Sequence, residues 1–147
     1  MIEVVVEEPA WRVREPDVEA LARSAVAAAL AREGRRASVV ILLADDDRLA
    51  RLNAAFRGKT GPTNVLSFPA ADFGDGRLGD VALAYGVCVR EASAQGKTLA
   101  DHLRHLTAHG VLHLLGYDHE SETEAEAMEA REREILAGLG VADPYRV

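Results

Sequence analysis

The order of apolar segments along the chain constrains its fold more than any other feature of the sequence. Residues 2–8 and 38–44 are rich in Val, Ile and Leu and have the length of strands, with amphipathic segments between and after them. Residues 65–70 and 78–89 flank a turn at 71–77 and predict a hairpin. The order β-α-β-α-β-β followed by helices predicts an α+β (mixed α/β) fold, with a small mixed four-stranded sheet and flanking helices. The strand order stays open.

The helical segments are bounded by residues that commonly start and end helices. Gly34 takes the C-terminal cap position of the first segment, and three aspartates precede the second. No repeat or linker interrupts the chain, and 147 residues are enough to bury a core. We therefore expect residues 1–147 to form a single domain. The predicted helices span residues 18–34, 47–57, 87–95, 98–115 and 121–139.

The composition is that of a globular protein. Hydrophobic residues make up 48% and charged residues 28% of the chain, and no apolar run approaches the roughly 20 residues of a membrane helix. The first residues include acidic side chains where a signal peptide would have basic ones. We expect a cytoplasmic protein with no membrane partner. Cys88 is the only cysteine and lies in an apolar run, which predicts a buried side chain and no disulfide within the chain.

The charge of the chain is unevenly distributed. The formal net charge of -7 argues against broad nucleic-acid binding. Residues 1–60 contain equal numbers of basic and acidic side chains, so a basic surface in this half is possible. The helix predicted over 121–139 is strongly acidic and would repel a phosphate backbone. We therefore expect that helix to face away from the functional cleft.

Three of the five histidines have the spacing of metal ligands. His109 and His113 are four residues apart on a predicted helix, so their imidazoles project from one face about one turn apart. Gly116 lets the chain leave the helix and turn back, which brings His119 towards the other two. Histidines at i and i+4 are often packing or surface residues, but the added His119 and the glycine favour a metal site.

A site with three protein ligands is the catalytic pattern of zinc, because the fourth tetrahedral position stays open. Neutral imidazoles also preserve the positive charge of the ion, which favours hydrolysis at neutral pH. We predict one Zn²⁺ per chain and a catalytic role for His109, although nickel, cobalt or copper would fit the same ligands. Asp118 is expected to hold a ligand histidine in its tautomer. His105, one turn before His109, is expected to orient it or to contact substrate.

The residue after the first histidine separates this chain from HExxH metalloproteases. Those enzymes have a glutamate there that acts as general base. Here the position is Gly110, which argues against the protease mechanism and leaves the general base unassigned. The glycine would allow substrate or neighbouring backbone to approach the metal closely, or it would simply relieve helix packing. Both interpretations are open.

Two long segments resemble a known family. The sequence HGVLHLLGYDH at residues 109–119 is similar to the signature of the YbeY family, bacterial zinc-dependent endoribonucleases that mature rRNA. The sequence NAAFRGKTGPTNVLSFPA at residues 53–70 resembles the FRxxxxPTNVLSFP segment of that family. Two shorter matches are LGDVALA at 78–84 and MEAREREIL at 128–136.

The resemblance implies zinc ligation by His109, His113 and His119, and a functional arginine at Arg57. It also implies cleavage of single-stranded RNA in 16S rRNA 3′-end maturation and ribosome quality control. The implied partners are rRNA and the small ribosomal subunit or its assembly factors.

The RNA hypothesis gives roles to the loop that follows Arg57. A guanidinium can bind the phosphate oxygens on which charge accumulates during phosphodiester cleavage. We therefore expect the loop from Arg57 to Lys59 to face the cleft, with Lys59 and Asn64 also contacting substrate. Thr63 and Asn64 could instead stabilise the loop by bonding neighbouring amides.

Two other functions stay open beside the leading prediction of a metal-dependent endoribonuclease. The first is a metallohydrolase acting on a peptide or a small molecule. The second is a non-catalytic ribosome-assembly factor with a structural metal, which a fourth protein ligand such as Asp118 would favour. The oligomeric state is not predicted.

Overall fold

The computed structural model describes residues 1–71 and 76–145. Within these ranges it contains one four-stranded mixed sheet and six helices, which confirms the predicted α+β fold. The strands are β1 (Ile2–Val6), β2 (Ser38–Ala44), β3 (Val65–Pro69) and β4 (Arg77–Ala84). The helices are α1 (Ala10–Arg14), α2 (Val18–Arg32), α3 (Asp46–Arg57), α4 (Tyr85–Ala94), α5 (Leu99–Leu114) and α6 (Glu122–Gly138). No helix among the described residues is long and apolar enough to cross a membrane.

The sheet has the strand order β1-β2-β4-β3. Strand β2 runs parallel to both β1 and β4, and β3 pairs antiparallel with β4 in the predicted hairpin. Inner strands covered on both faces are continuously apolar, and β2 and most of β4 follow this rule. Strand β3 lies at the edge of the sheet, so one side of its backbone is available to a cavity or a ligand.

The boundary between β4 and α4 differs from the sequence prediction. We predicted a strand over 78–89, but β4 ends at Ala84 and α4 begins at Tyr85. The main-chain N–H of Val87, in the first turn of α4, donates to Asp46 Oδ1 at 3.0 Å. This carboxylate from α3 satisfies a donor that the helix itself cannot satisfy. A contact across 41 residues therefore starts the helix, and local periodicity does not reveal it.

Helix α1 was not predicted from the sequence. It has only five residues, too few to display a helical period. Its Trp11 is fully buried, and the indole Nε1 donates to the carbonyl oxygen of Ala44 at 3.0 Å. The same ring contacts Tyr85 edge-on, with 5.4 Å between ring centroids. Tertiary burial of one aromatic side chain therefore stabilises this helix. Cys88 is buried, as predicted.

Helix α5 packs very closely on the hairpin at Gly110. A Cβ atom at this position would lie 2.6 Å from Val81 Cγ1 on β4 and 3.2 Å from Ser67 Oγ on β3. The Ser67 hydroxyl also donates to the carbonyl oxygen of Gly110 at 2.9 Å. These contacts support the interpretation that Gly110 is needed for close packing of the helix. The missing side chain lets the helix backbone rest against the sheet.

We predict that Gly110→Ala destabilises the protein although alanine is the better helix former. Overpacking against Val81 costs about 1–3 kcal/mol, and the helix propensity of alanine offsets at most about 1 kcal/mol of this. Urea unfolding followed by circular dichroism measures the net change in the free energy of unfolding. The matched control is Gly138→Ala at the end of α6, where an added Cβ has no neighbour within 4 Å. The control should be neutral or slightly stabilising, and equal losses in both variants would contradict the close-packing argument.

Candidate metal centre

The three predicted ligand histidines converge at the C-terminal end of α5. His109 and His113 lie on its last turns, and Gly116, with a φ of 102°, redirects the chain so that His119 returns towards them. One ring nitrogen from each residue lies within 4.8 Å of the others. The Nε2 atoms of His109 and His113 are 3.1 Å apart. This group could hold a metal ion.

The hydrogen bonds of the other ring nitrogens test whether a cation fits. His113 Nδ1 lies 3.0 Å from the carbonyl oxygen of Tyr117, and His109 Nδ1 lies 2.9 Å from Glu132 Oε1. Both oxygens only accept, so each Nδ1 is the donor and each neutral ring presents a lone pair at Nε2. Two lone pairs at 3.1 Å repel unless a cation lies between them. Tetrahedral zinc with bonds of roughly 2.0–2.1 Å separates its ligand atoms by about 3.3 Å, so the His109–His113 pair fits. A ring nitrogen of His119 lies within 4.8 Å of both.

Electrostatics favour the neutral form of His113 that metal binding requires. Burial lowers the pKa of His113, and the neighbouring imidazoles of His109 and His119 lower it further. The hydrogen bond to Tyr117 and the nearby Asp118 act in the opposite direction without reversing the shift. The His113 ring is therefore neutral over a wider pH range than an isolated histidine, which leaves its Nε2 lone pair free for a metal ion.

Glu132 is a residue of the site that the sequence analysis missed. Its side chain is fully buried, and Oε1 accepts hydrogen bonds from His109 Nδ1 at 2.9 Å and His105 Nε2 at 3.0 Å. Its other oxygen accepts from the Tyr145 hydroxyl at 2.8 Å. Burial by itself raises the pKa of Glu132, but the hydrogen bonds from His105, His109 and Tyr145 outweigh it and lower the pKa to about 2. The carboxylate is therefore ionised beside the histidines.

No described residue of the acidic helix α6 lines the cavity beside the histidines, so the helix faces away from the cleft as expected, but its Glu132 contacts His109 from the buried side. Most of its acidic side chains are exposed, but Glu132 shares the buried face with Met128, Ile135 and Leu136. These positions are spaced i, i+4, i+7 and i+8, the spacing of an apolar stripe. A glutamate on such a stripe is a signal in the sequence that could have identified it, because a buried carboxylate needs partners.

A cavity of about 550 Å³ opens beside the histidines. Arg57, at the end of α3, lines the same cavity as the histidine group, as the sequence led us to expect. Lys59 is exposed on the following loop and is not among the lining residues, so its contact with substrate stays a prediction. The cavity is lined by Arg57, Thr63, Asn64, Val65, Leu66, Ser67, His109, His113, Asp118, His119 and Glu120.

Asn64 stabilises the loop that enters β3. Its Oδ1 accepts from the main-chain N–H of Val65 at 2.7 Å, and its Nδ2 donates to Glu91 at 3.1 Å. Glu91 is bonded in turn to the buried His102 at 2.9 Å. These contacts support the interpretation that Asn64 stabilises the loop. A contact with substrate stays a prediction for Asn64, which also lines the cavity.

Asp118 and His105 lie near the histidine group in different ways. Asp118 lines the cavity, and its Oδ1 accepts from the main-chain N–H of His119 at 2.8 Å. It is not part of the metal-binding group found among the described residues, which consists of three histidines. His105 shares the Glu132 carboxylate with His109. The predicted roles of Asp118 and His105 beside a bound metal stay predictions.

Comparison with known proteins agrees with the resemblance of the sequence segments. The family model described as Endoribonuclease YbeY matches residues 4–140. A Maricaulis maris protein named endoribonuclease YbeY is 51% identical over 145 residues, covering 98% of this chain and 91% of that one. A Parvibaculum lavamentivorans protein of the same name is 54% identical over 129 residues, covering 80% and 70%.

A solved structure supports the fold alone. The solution structure of a Thermotoga maritima protein matches with a TM-score of 0.57 and 24% identity, covering 100% of both chains. The family match and the identity of the relatives extend much further than the histidine signature itself. They support an endoribonuclease role, and the chain belongs to the endoribonuclease YbeY family.

Proposed function

We propose that this protein is a zinc-dependent, single-strand-specific endoribonuclease that acts in 16S rRNA 3′-end maturation and ribosome quality control. The observation that carries the proposal is the convergence of three imidazoles and Arg57 on one cavity of about 550 Å³. The names of the relatives support RNA as the substrate class. The proposed location is the cytoplasm, and the proposed partners are rRNA and the small ribosomal subunit or its assembly factors.

His109, His113 and His119 are the proposed ligands of one Zn²⁺ per chain. A zinc ion held by three neutral imidazoles would act as a Lewis acid and would lower the pKa of water towards neutral pH. The ligand rings are oriented before the metal binds, because the Nδ1 atom of His109 donates to Glu132 and that of His113 donates to the Tyr117 carbonyl. Both Nε2 atoms are thereby turned towards the same point.

Arg57 is the proposed phosphate-binding residue. Its guanidinium can donate two parallel hydrogen bonds to the non-bridging oxygens of a phosphodiester, whose negative charge is greatest in the transition state. Lys59 on the next loop would attract the RNA backbone at longer range, and Asn64 would contact the RNA from the cavity wall. A flexible single strand can bend a phosphate into such a cavity, whereas the backbone of a duplex is held rigid by stacking.

The charge of the protein favours docking to a larger particle over tight binding of free RNA. Phosphate contacts dominate nucleic-acid affinity, and the net charge is -7. Arg57 is the one arginine or lysine among the described residues that line the cavity, which also include the acidic Asp118 and Glu120. Contacts with ribosomal components would therefore add to the affinity for the RNA substrate.

We predict that the purified protein binds one zinc ion per chain and that His113→Ala loses it. Removal of one of three ligands leaves too few donors for a stable site. Metal analysis after gel filtration and competition with a chromophoric chelator measure the stoichiometry and the affinity. Arg51→Ala, an exposed substitution on α3, is the folded control and should retain one zinc. Undiminished zinc in His113→Ala would contradict the assignment of the ligands.

We predict that Arg57→Ala lowers kcat/KM for single-stranded RNA by about 10²–10³, because it removes one preorganised donor from the transition state. The substrates are an end-labelled strand from the 3′ region of 16S rRNA and the same strand annealed to its complement. Gel mapping of the products measures cleavage, and Arg51→Ala should be close to wild type.

The same assay separates the other functions. Cleavage that survives His113→Ala would indicate a contaminating nuclease or a metal-independent mechanism. Hydrolysis of peptides without RNA cleavage would indicate a different metallohydrolase. If the zinc-loaded protein cleaves no RNA, either alone or in the presence of ribosomal subunits, the result would indicate an assembly factor with a structural metal.

A further inference from the structure

We infer that Glu132 is a positioning residue of the metal centre, which holds His109 with its Nε2 directed at the ion and is itself held by His105 and Tyr145. The inference rests on the proposed function, because it needs His109 to be a metal ligand. It assigns a role to a buried carboxylate on α6 that lies outside the histidine signature.

The contact between Glu132 and His109 determines which ring nitrogen is free. Glu132 Oε1 lies 2.9 Å from His109 Nδ1, and an ionised carboxylate can only accept a hydrogen bond. The proton of the neutral ring is therefore held at Nδ1, and Nε2 faces His113 with its lone pair exposed. A carboxylate behind a ligand histidine also increases the basicity of the ring, which strengthens its bond to a cation.

The other two contacts hold the carboxylate in place. Oε1 also accepts from His105 Nε2 at 3.0 Å, and Oε2 accepts from the Tyr145 hydroxyl at 2.8 Å. His105 lies one helical turn before His109, and Tyr145 comes from the segment after α6. Donors from two directions therefore fix both oxygens of one side chain. The orientation of the His109 ring depends on this network and not on α5 alone.

The surroundings of Glu132 make a purely structural role a poor explanation. Its neighbours on the buried face of α6 are Met128, Ile135 and Leu136, and an apolar residue would continue that face at lower cost. Burying a charge is unfavourable unless hydrogen bonds compensate for it, and two of its three donors are histidines of α5. The carboxylate therefore has a use that an apolar side chain lacks.

The two helical ligands differ in what supports them. The Nδ1 of His113 donates to the main-chain carbonyl of Tyr117, a contact within the turn that ends α5. The Nδ1 of His109 donates to a charged side chain from another helix. A substitution at Glu132 should therefore change His109 and leave the local support of His113 intact.

The test compares the zinc affinity of the wild type with that of Glu132→Gln by competition with a chromophoric chelator. Glutamine keeps the size of the side chain but loses the charge and one acceptor, so we expect the Kd for zinc to rise about 10–100-fold. Glu126→Gln, an exposed substitution on the same helix, is the matched control and should bind zinc like the wild type. Equal affinities of wild type and Glu132→Gln would overturn the inference.

A second variant and a second readout keep the test decisive if Glu132→Gln folds poorly. Tyr145→Phe removes the hydroxyl that donates to Oε2 and lies 3.3 Å from His105 Nε2, and we expect a smaller rise in Kd, below about tenfold. Long-range ¹H–¹⁵N NMR of the metal-free proteins reports the His109 tautomer, which should be Nδ1–H in the wild type and mixed in Glu132→Gln. A lower unfolding midpoint with unchanged tautomer and affinity would show a structural role only.

The outcomes also separate this inference from the proposed function. A wild-type protein that binds no zinc would end both. A wild type that binds zinc and cleaves RNA, with a Glu132→Gln variant of the same affinity, would end the inference alone.

Discussion

The close packing of α5 against the hairpin of β3 and β4 is the contact on which the site depends. Gly110 lets the helix backbone rest on Val81 and accept a hydrogen bond from Ser67, and a Cβ atom there would have to displace Val81. Because Gly110 faces the sheet, the side chains adjacent to it in the sequence of α5 must point in other directions. His109 and His113 are thereby directed to the open edge of the sheet, where β3 forms one wall of the cavity.

The same helix faces a buried anion on another side. Glu132 lies on an otherwise apolar stripe of α6, and it is stable there because His105, His109 and Tyr145 donate to it. Isolated burial would raise the pKa of this carboxyl, whereas its hydrogen bonds lower the pKa to about 2. The core therefore contains a fixed negative charge directly behind an imidazole that faces the cavity.

A net charge of -7 is compatible with a nuclease when most acidic side chains lie away from the cavity, which two of them, Asp118 and Glu120, do line. The exposed acidic residues of α6 contribute to long-range repulsion, which salt screens over about 8 Å at physiological ionic strength. The proposed phosphate contact of Arg57, which lines the cavity, would act at short range, where a guanidinium and a phosphate interact most strongly. Local geometry can therefore outweigh the overall charge at the site of chemistry, while the overall charge limits affinity for free RNA.

The sequence by itself determined most of the elements and the identity of the histidine group. Residues four apart on a helix, and a glycine exit before His119, are local features whose geometry the chain dictates within a few turns. The same holds for the β3–β4 hairpin and for the helix cap at Asp45, which accepts from Arg48 N–H at 2.8 Å.

Only the tertiary structure decided the strand order, the start of α4, helix α1 and the role open to Glu132. Each depends on residues far apart in the chain, such as Asp46 with Val87, or Glu132 with His109. Periodicity reports which side of a helix is buried, but it does not report what that side meets. Contacts of this kind form only when separate elements pack together, and for that reason the partner of a buried charge could not be named from the sequence.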